Sequence, residues 1–245
     1  MSLAAAMQIT DQDVFQQTVA SGVEKIGQLA VTPNGRTFAY SQSGGTLLAG
    51  QLTQPAVVTA NYVTRTLTTA AAALSNQITI VLGTTATQDA FKGFWLAVTD
   101  ATGKGQGVYY VNGNTAATAG NSNTTIVSIA GALNVALDTT SVVGLYPNQE
   151  SAVIQHTASS AIPASGAPVV PITSGNFFWN QIGGFASILS DGAVTKNALA
   201  IPSASVAGAS TIDTAATVTA SIGYAPELTV DTKYSPLVLN VPLTV

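Results

Sequence analysis

The chain has very little charge. Of its 245 residues only 7% are Asp, Glu, Lys or Arg, against about 25% in ordinary soluble domains. Seven bases and eleven acids leave a net charge of −4. No basic stripe can be built from them, so nucleic acid is not an expected partner. Cysteine is absent, which excludes disulfides and thiolate metal sites. The one histidine, His156, has no second His or Cys with which to share a metal, so no metal or cofactor is expected. Residues 67–82 form the longest soft stretch, but Thr, Ser, Asn and Gln interrupt it. It falls short of the ~18 apolar residues of a membrane helix. The opening MSLAAAMQITDQDVF lacks a basic segment and has too short an apolar run for a secretory signal.

What is present is a neutral, core-forming chain. Hydrophobic residues make up 47%, which separates it from charge-rich disordered sequences. Its polar surface has to come from Thr, Ser, Asn, Gln and backbone. Such a surface loses water cheaply, and interface cores are likewise poor in charge. The composition points to a surface covered by copies of the chain or by partners.

The pattern is β. Residues 1–28 read as an N-terminal arm with a short helix started by Asp11 and Asp13. Pro33-Asn34-Gly35 is hairpin chemistry, and Thr37–Gln42 is the return strand. Between 57 and 156, short strands are expected at Gln77–Leu82, Gly93–Thr99, Gly107–Val111 and Thr124–Ile129, with a helical turn over Leu133–Asp138. Residues 157–169, rich in Ala, Ser, Pro and Gly, read as a linker. The apolar run ending at Val241 reads as a buried closing strand.

One internal echo bears on how these parts connect. Phe38-Ala39-Tyr40-Ser41-Gln42-Ser43-Gly44-Gly45 can be laid on Phe177-Phe178-Trp179-Asn180-Gln181-Ile182-Gly183-Gly184. Alternate aromatics face one side of a strand, and a Gly-Gly pair supplies a bend. Both copies therefore belong in one small barrel or sandwich. The expected fold is all-β: a base domain from 29–56 plus 170–245, and an inserted β domain over 57–156.

Catalytic signals are missing. His156 has no Gly-x-Ser-x-Gly elbow near it and reads as a solvent-facing or interface residue. Thr102–Gly107 looks superficially like a phosphate loop, but an aromatic strand follows where a helix is required. The carboxylates are dispersed through apparent turns, Glu150 among them, and no calcium-loop run occurs. The chain is therefore not expected to be an enzyme. Four residues are candidate partner contacts: Phe15 on the arm, Lys104 at the glycine-rich tip, and Trp95 and Trp179 in the aromatic clusters. Exposed Trp95, Tyr109 or Trp179 would instead suit a glycan-binding fibre or adhesin module.

Three stretches carry a resemblance: Gly27–Gln42 with Ala49-Gly50-Gln51, Phe178–Gln181 with Ser190–Val194, and Ser221–Ala225 with the terminal strand. Together they resemble decoration or minor head proteins of tailed bacteriophages, over about half of the chain. The resemblance implies a non-catalytic virion protein on the capsid surface. Its partner would be the major capsid protein, and trimers would be common. It implies no catalytic residues.

Overall fold

The computed structural model describes residues 6–18, 24–99, 107–158, 162–212 and 221–241. Lys104 lies outside them. The chain is nearly all β, and no helix among the described residues reaches seven residues. It divides into two compact units, 1–56 with 149–245, and 57–148. The first unit begins with β1 (Met7–Gln8), β2 (Gln17–Thr18), β3 (Leu29–Val31), β4 (Thr37–Gln42) and β5 (Thr53–Gln54). The inserted unit carries β6 (Arg65–Thr66), β7 (Gln77–Val81), β8 (Trp95–Val98), β9 (Val108–Asn114), β10 (Thr124–Ile129) and β11 (Val142–Tyr146). The chain then returns with β12 (Ile154–Gln155), β13 (Ala167–Pro168), β14 (Phe177–Leu189), β15 (Leu199–Pro202), β16 (Ser210–Ile212), β17 (Gly223–Tyr224) and β18 (Tyr234–Asn240).

In the base unit the Pro-Asn-Gly turn forms as its residues dictate. Gly35 sits at φ +82°, and its N–H donates to the Thr32 carbonyl at 2.9 Å. The hairpin β3–β4 then pairs with β14. The two echoing segments are direct antiparallel neighbours. Phe38 lies opposite Gln181, Tyr40 opposite Trp179, and Gln42 opposite Phe177. Each Phe faces the other copy's Gln across a local two-fold centred on the Tyr40–Trp179 pair.

Strand β14 runs for 13 residues and changes partners midway. Its register against β4 shifts between Gln181 and Gly183, and Gly184 adopts φ +82°. A side chain at 184 would meet the Arg36 backbone at 3.0 Å. Beyond this bend, Gly183–Leu189 pair with β18. The order continues through β17, β15 and β16, and Ser210 of β16 bridges back to Ser190, just past the end of β14. The ring is thereby nearly closed. Ile182, Ile188, Val194, Ala200, Ile222, Leu237 and Leu239 fill it. Closure leaves little free edge for unwanted pairing.

The inserted unit repeats the solution. Its six antiparallel strands run β6-β11-β8-β9-β10-β7, and Leu67 bridges Ile80 to bring the two ends together. Ile78, Ile80, Phe91, Leu96, Val111, Val127 and Leu145 make its core. Strand β9 continues through Asn112-Gly113-Asn114, past the Val111 end expected from the sequence. The buried Asn114 side chain accepts from Phe91 N–H at 2.8 Å and donates to the Thr87 and Thr115 carbonyls. It thus supplies hydrogen bonds that a turn would have made locally. Leu133–Asp138 is not helical. Leu133 and Leu137 instead make backbone hydrogen bonds to Ala71, Leu74 and Ser75, which flank and form a turn.

Three boundaries differ from the sequence reading. Residues 149–156 belong to the base unit, because Gln42 N–H donates to Glu150 and Val153 N–H donates to Gln42, both at 2.8 Å. The described part of 157–169 is not a linker. Ala164, Ser165 and Ala167 are buried, and β13 pairs with β14. Only small residues fit there, since a Cβ on Gly166 would lie 2.7 Å from the Asn180 side-chain nitrogen. The arm, finally, is part of the fold. It holds one 3-10 turn, Asp13–Phe15, after which Gln16 is extended. Ile9 and Val14 pack in one cluster with Phe38, Tyr40, Phe177 and Trp179. An ion pair from Asp11 to Arg36 at 2.6 Å pins the arm to the hairpin turn. Removing residues 6–18 would therefore strip a wall of this core cluster.

The ring closure depends on Gly223, which sits at φ +146° with the Val238 carbonyl where a Cβ would be. Gly223→Ala is expected to destabilise the protein by about 3 kcal/mol or more in urea unfolding. Gly45→Ala, which meets nothing within 4 Å, should change stability by less than about 0.5 kcal/mol.

Candidate functional site

Two titratable groups of the base unit, Glu150 and His156, are buried without forming a reactive set. His156 is a core residue rather than a solvent-facing one. Its Nε2 lies 3.0 Å from the Ile162 carbonyl oxygen. Burial lowers its basicity, against hydrogen bonds to Ile162 and Thr157 that act the other way, so the environment favours the neutral ring. Among the described residues, no group of three His, Cys, Asp or Glu side chains could hold a metal ion.

Glu150 is the most perturbed acid. It is buried and accepts hydrogen bonds from the Ser41 hydroxyl and, at 3.4 Å, from Asn180 Nδ2. Asn180 also donates to Thr53 Oγ1 at 3.0 Å, and Thr53 donates to the Gly166 carbonyl at 3.1 Å. This chain of neutral groups ties β4, β5 and β14 to the returning segment. Neither Glu150 nor His156 lines the two base-unit cavities described below, and both are buried in the core.

The surface is more informative. A groove of about 750 Å³ opens on the base unit, lined by Leu48, Gly50, Val169, Phe185, Tyr234 and three prolines, Pro168, Pro171 and Pro236. Gly50 admits no side chain here. At φ +67° its N–H donates to Pro168 and its carbonyl accepts from Leu189, and a side chain would strike the Ser187 carbonyl at 2.6 Å. The bend at Gly183–Gly184 sets the orientation of the residues that follow. Ala186 and Ile188 point into the ring, while Phe185 stands 61% exposed. Tyr234 and Leu48 are exposed beside it. The only charged lining residue is Arg36. A concave, apolar, proline-rich surface with two exposed aromatics is suited to a protein segment that brings little charge.

The expected contact residues do not converge on this groove. Phe15 is 53% exposed at the end of the 3-10 turn. Trp95 lies in the other unit, half-buried edge-on against Tyr110 at 5.4 Å between ring centres. Trp179 is buried against Tyr40. Tyr109 is buried as well, and its hydroxyl accepts from Asn134 N–H. Trp179 and Tyr109 thus offer no exposed platform for a sugar. Sequence reasoning missed Leu48, Phe185 and Tyr234. The available signal was Phe185 following a Gly-Gly bend, where strand alternation restarts.

No protein-family model, curated protein or solved structure matches the chain.

Burial raises the Glu150 carboxyl to about 7, against the lowering effect of Ser41 and Asn180. The folded value lies above the ordinary one of 4.5, so folding favours the protonated acid. That contribution is complete below about pH 4.5 and is lost as pH rises through about 7. It amounts to roughly 3 kcal/mol. The melting temperature is expected to fall between about pH 5 and about pH 8. Glu150→Gln, which keeps a carbonyl for Ser41 and Asn180, should remove most of that fall. An equally steep fall in the variant would show that the pH dependence arises elsewhere.

Proposed function

We propose that this chain is a non-catalytic structural protein of a virion, one that decorates and stabilises a phage capsid by docking on the major capsid protein. The groove around Phe185 and Tyr234 is the observation that carries the reading. It is a roomy, mostly apolar cavity of about 750 Å³, and it is rimmed by the exposed aromatics Phe185 and Tyr234. The scarcity of charge supports the same conclusion, because little solvation is lost when such a surface is covered. Nearly closed sheets in both units leave side chains rather than open strand edges to make the contacts. The proposed occupant is an uncharged, apolar segment of the shell. Repetition across the shell, and association of the chain itself as a trimer, would multiply modest single contacts.

The test is cosedimentation with shells assembled from the major capsid protein of the same virus. The wild-type chain should pellet with them. A Phe185→Ser, Tyr234→Ser double variant should bind at least about tenfold more weakly. Both side chains are exposed, so the variant's melting temperature should stay close to wild type. Failure of the wild type to bind would overturn the virion reading. Unchanged binding by the double variant would remove the groove from it.

A further inference from the structure

A second cavity of the base unit carries two acids where the groove carries one base. It has a volume of about 420 Å³ and lies between the N-terminal segment and the face formed by Tyr40, Phe177 and Trp179. Tyr40 stacks on Phe177 with ring centres 5.9 Å apart and meets Trp179 edge-on at 5.1 Å. The cavity's charged lining residues are both acids, Asp13 and Glu24. In a chain with 7% charged residues, two carboxylates on one small cavity are a marked concentration. Neither has an ion-pair partner among the described residues. Asp13 is held in place by Thr10, whose N–H and hydroxyl both donate to its Oδ2.

Tyr40 supplies a separate observation. It is 3% exposed, yet its hydroxyl has no hydrogen-bond partner. A buried, unsatisfied hydroxyl is costly, and such groups call for an explanation. Burial, and then the Glu24 carboxylate, push the phenol above its ordinary value. That acid therefore lies within electrostatic reach of the aromatic cluster.

We propose that this cavity binds an organic cation that carries N–H donors, a guanidinium or a primary ammonium. The aromatic walls suit a cation through their electron-rich faces. Asp13 and Glu24 balance its charge, and an N–H can bond the Tyr40 hydroxyl. Neutral or anionic ligands would leave both carboxylates uncompensated. The cation could be a free small molecule or an Arg or Lys side chain of a partner. This inference does not depend on the groove or on the virion reading.

Trp179 reports on the site. The chain has two tryptophans, and Trp95 lies in the inserted unit, so Trp95→Phe leaves Trp179 as the one indole fluorophore. Titration of this full-length variant with N-acetylarginine amide should change its fluorescence. N-acetylcitrulline amide, which has nearly the same shape without the charge, should bind at least about tenfold more weakly. Ethylguanidinium separates the two sources. Binding equal to the arginine amide assigns the site to a free cation, and markedly weaker binding assigns it to a side chain. Glu24→Gln, which breaks no hydrogen bond seen here, should weaken the arginine probe several-fold. Tyr40→Phe should weaken it too, while leaving the urea midpoint of the free protein unchanged or higher. Absence of binding, equal binding of the citrulline probe, or unchanged affinity in both Glu24→Gln and Tyr40→Phe would overturn the proposal.

Discussion

Strand β14 is the element on which the base unit depends, and the bend at Gly183–Gly184 divides its work. Before the bend it is the central strand of an open region, flanked by β4 and β13 and joined by β2. After the bend it is the first stave of a nearly closed ring. A single straight strand could not do both, and the bend is made by a residue without a side chain: Gly184 sits at φ +82°, and a Cβ there would crowd the Arg36 backbone. Both surface features follow. Phe177 and Trp179, ahead of the bend, make the aromatic wall of the acidic cavity. Phe185, just past it, stands at the rim of the apolar groove.

A second constraint is the shortage of ions. With so few charged side chains, buried polarity is satisfied by amides, hydroxyls and backbone. Asn114 organises the inserted unit, and the chain running from Glu150 through Asn180 to Thr53 organises the base. Even Glu150 fits this economy, since burial favours its neutral form. Neutral networks of this kind are specific only when nearly complete. That gives the unpartnered Tyr40 hydroxyl its interest.

Much of the architecture was legible because strand and turn chemistry are local. Asn34-Gly35 marked the first hairpin, and the β4 and β10 strands coincide with their alternating patterns. The Phe38/Phe177 echo placed two distant segments in one small barrel or sandwich, although nothing in it revealed that they pair directly. What was not legible depended on tertiary context. The arm resembles a helix start because Asp11 and Asp13 are present, but Asp13 spends its carboxylate on Thr10 and the chain becomes extended at Gln16. The 157–169 segment looks like a linker because small residues are also what a tightly covered edge requires. At the candidate site, composition pointed to tryptophans, and both serve packing. The exposed aromatics are a Phe and a Tyr whose orientation is set by a bend and by pairing with a strand some fifty residues away.

The central claim is that association relies on apolar contacts and not on charge. The most direct measurement is the salt dependence of binding to the capsid shell, followed from about 0.1 M to about 1 M sodium chloride. Contacts of the kind the groove offers predict affinity that is unchanged or rises across this range. A fall on the order of tenfold or more would show that the chain's few ions carry the interaction, and would contradict the account.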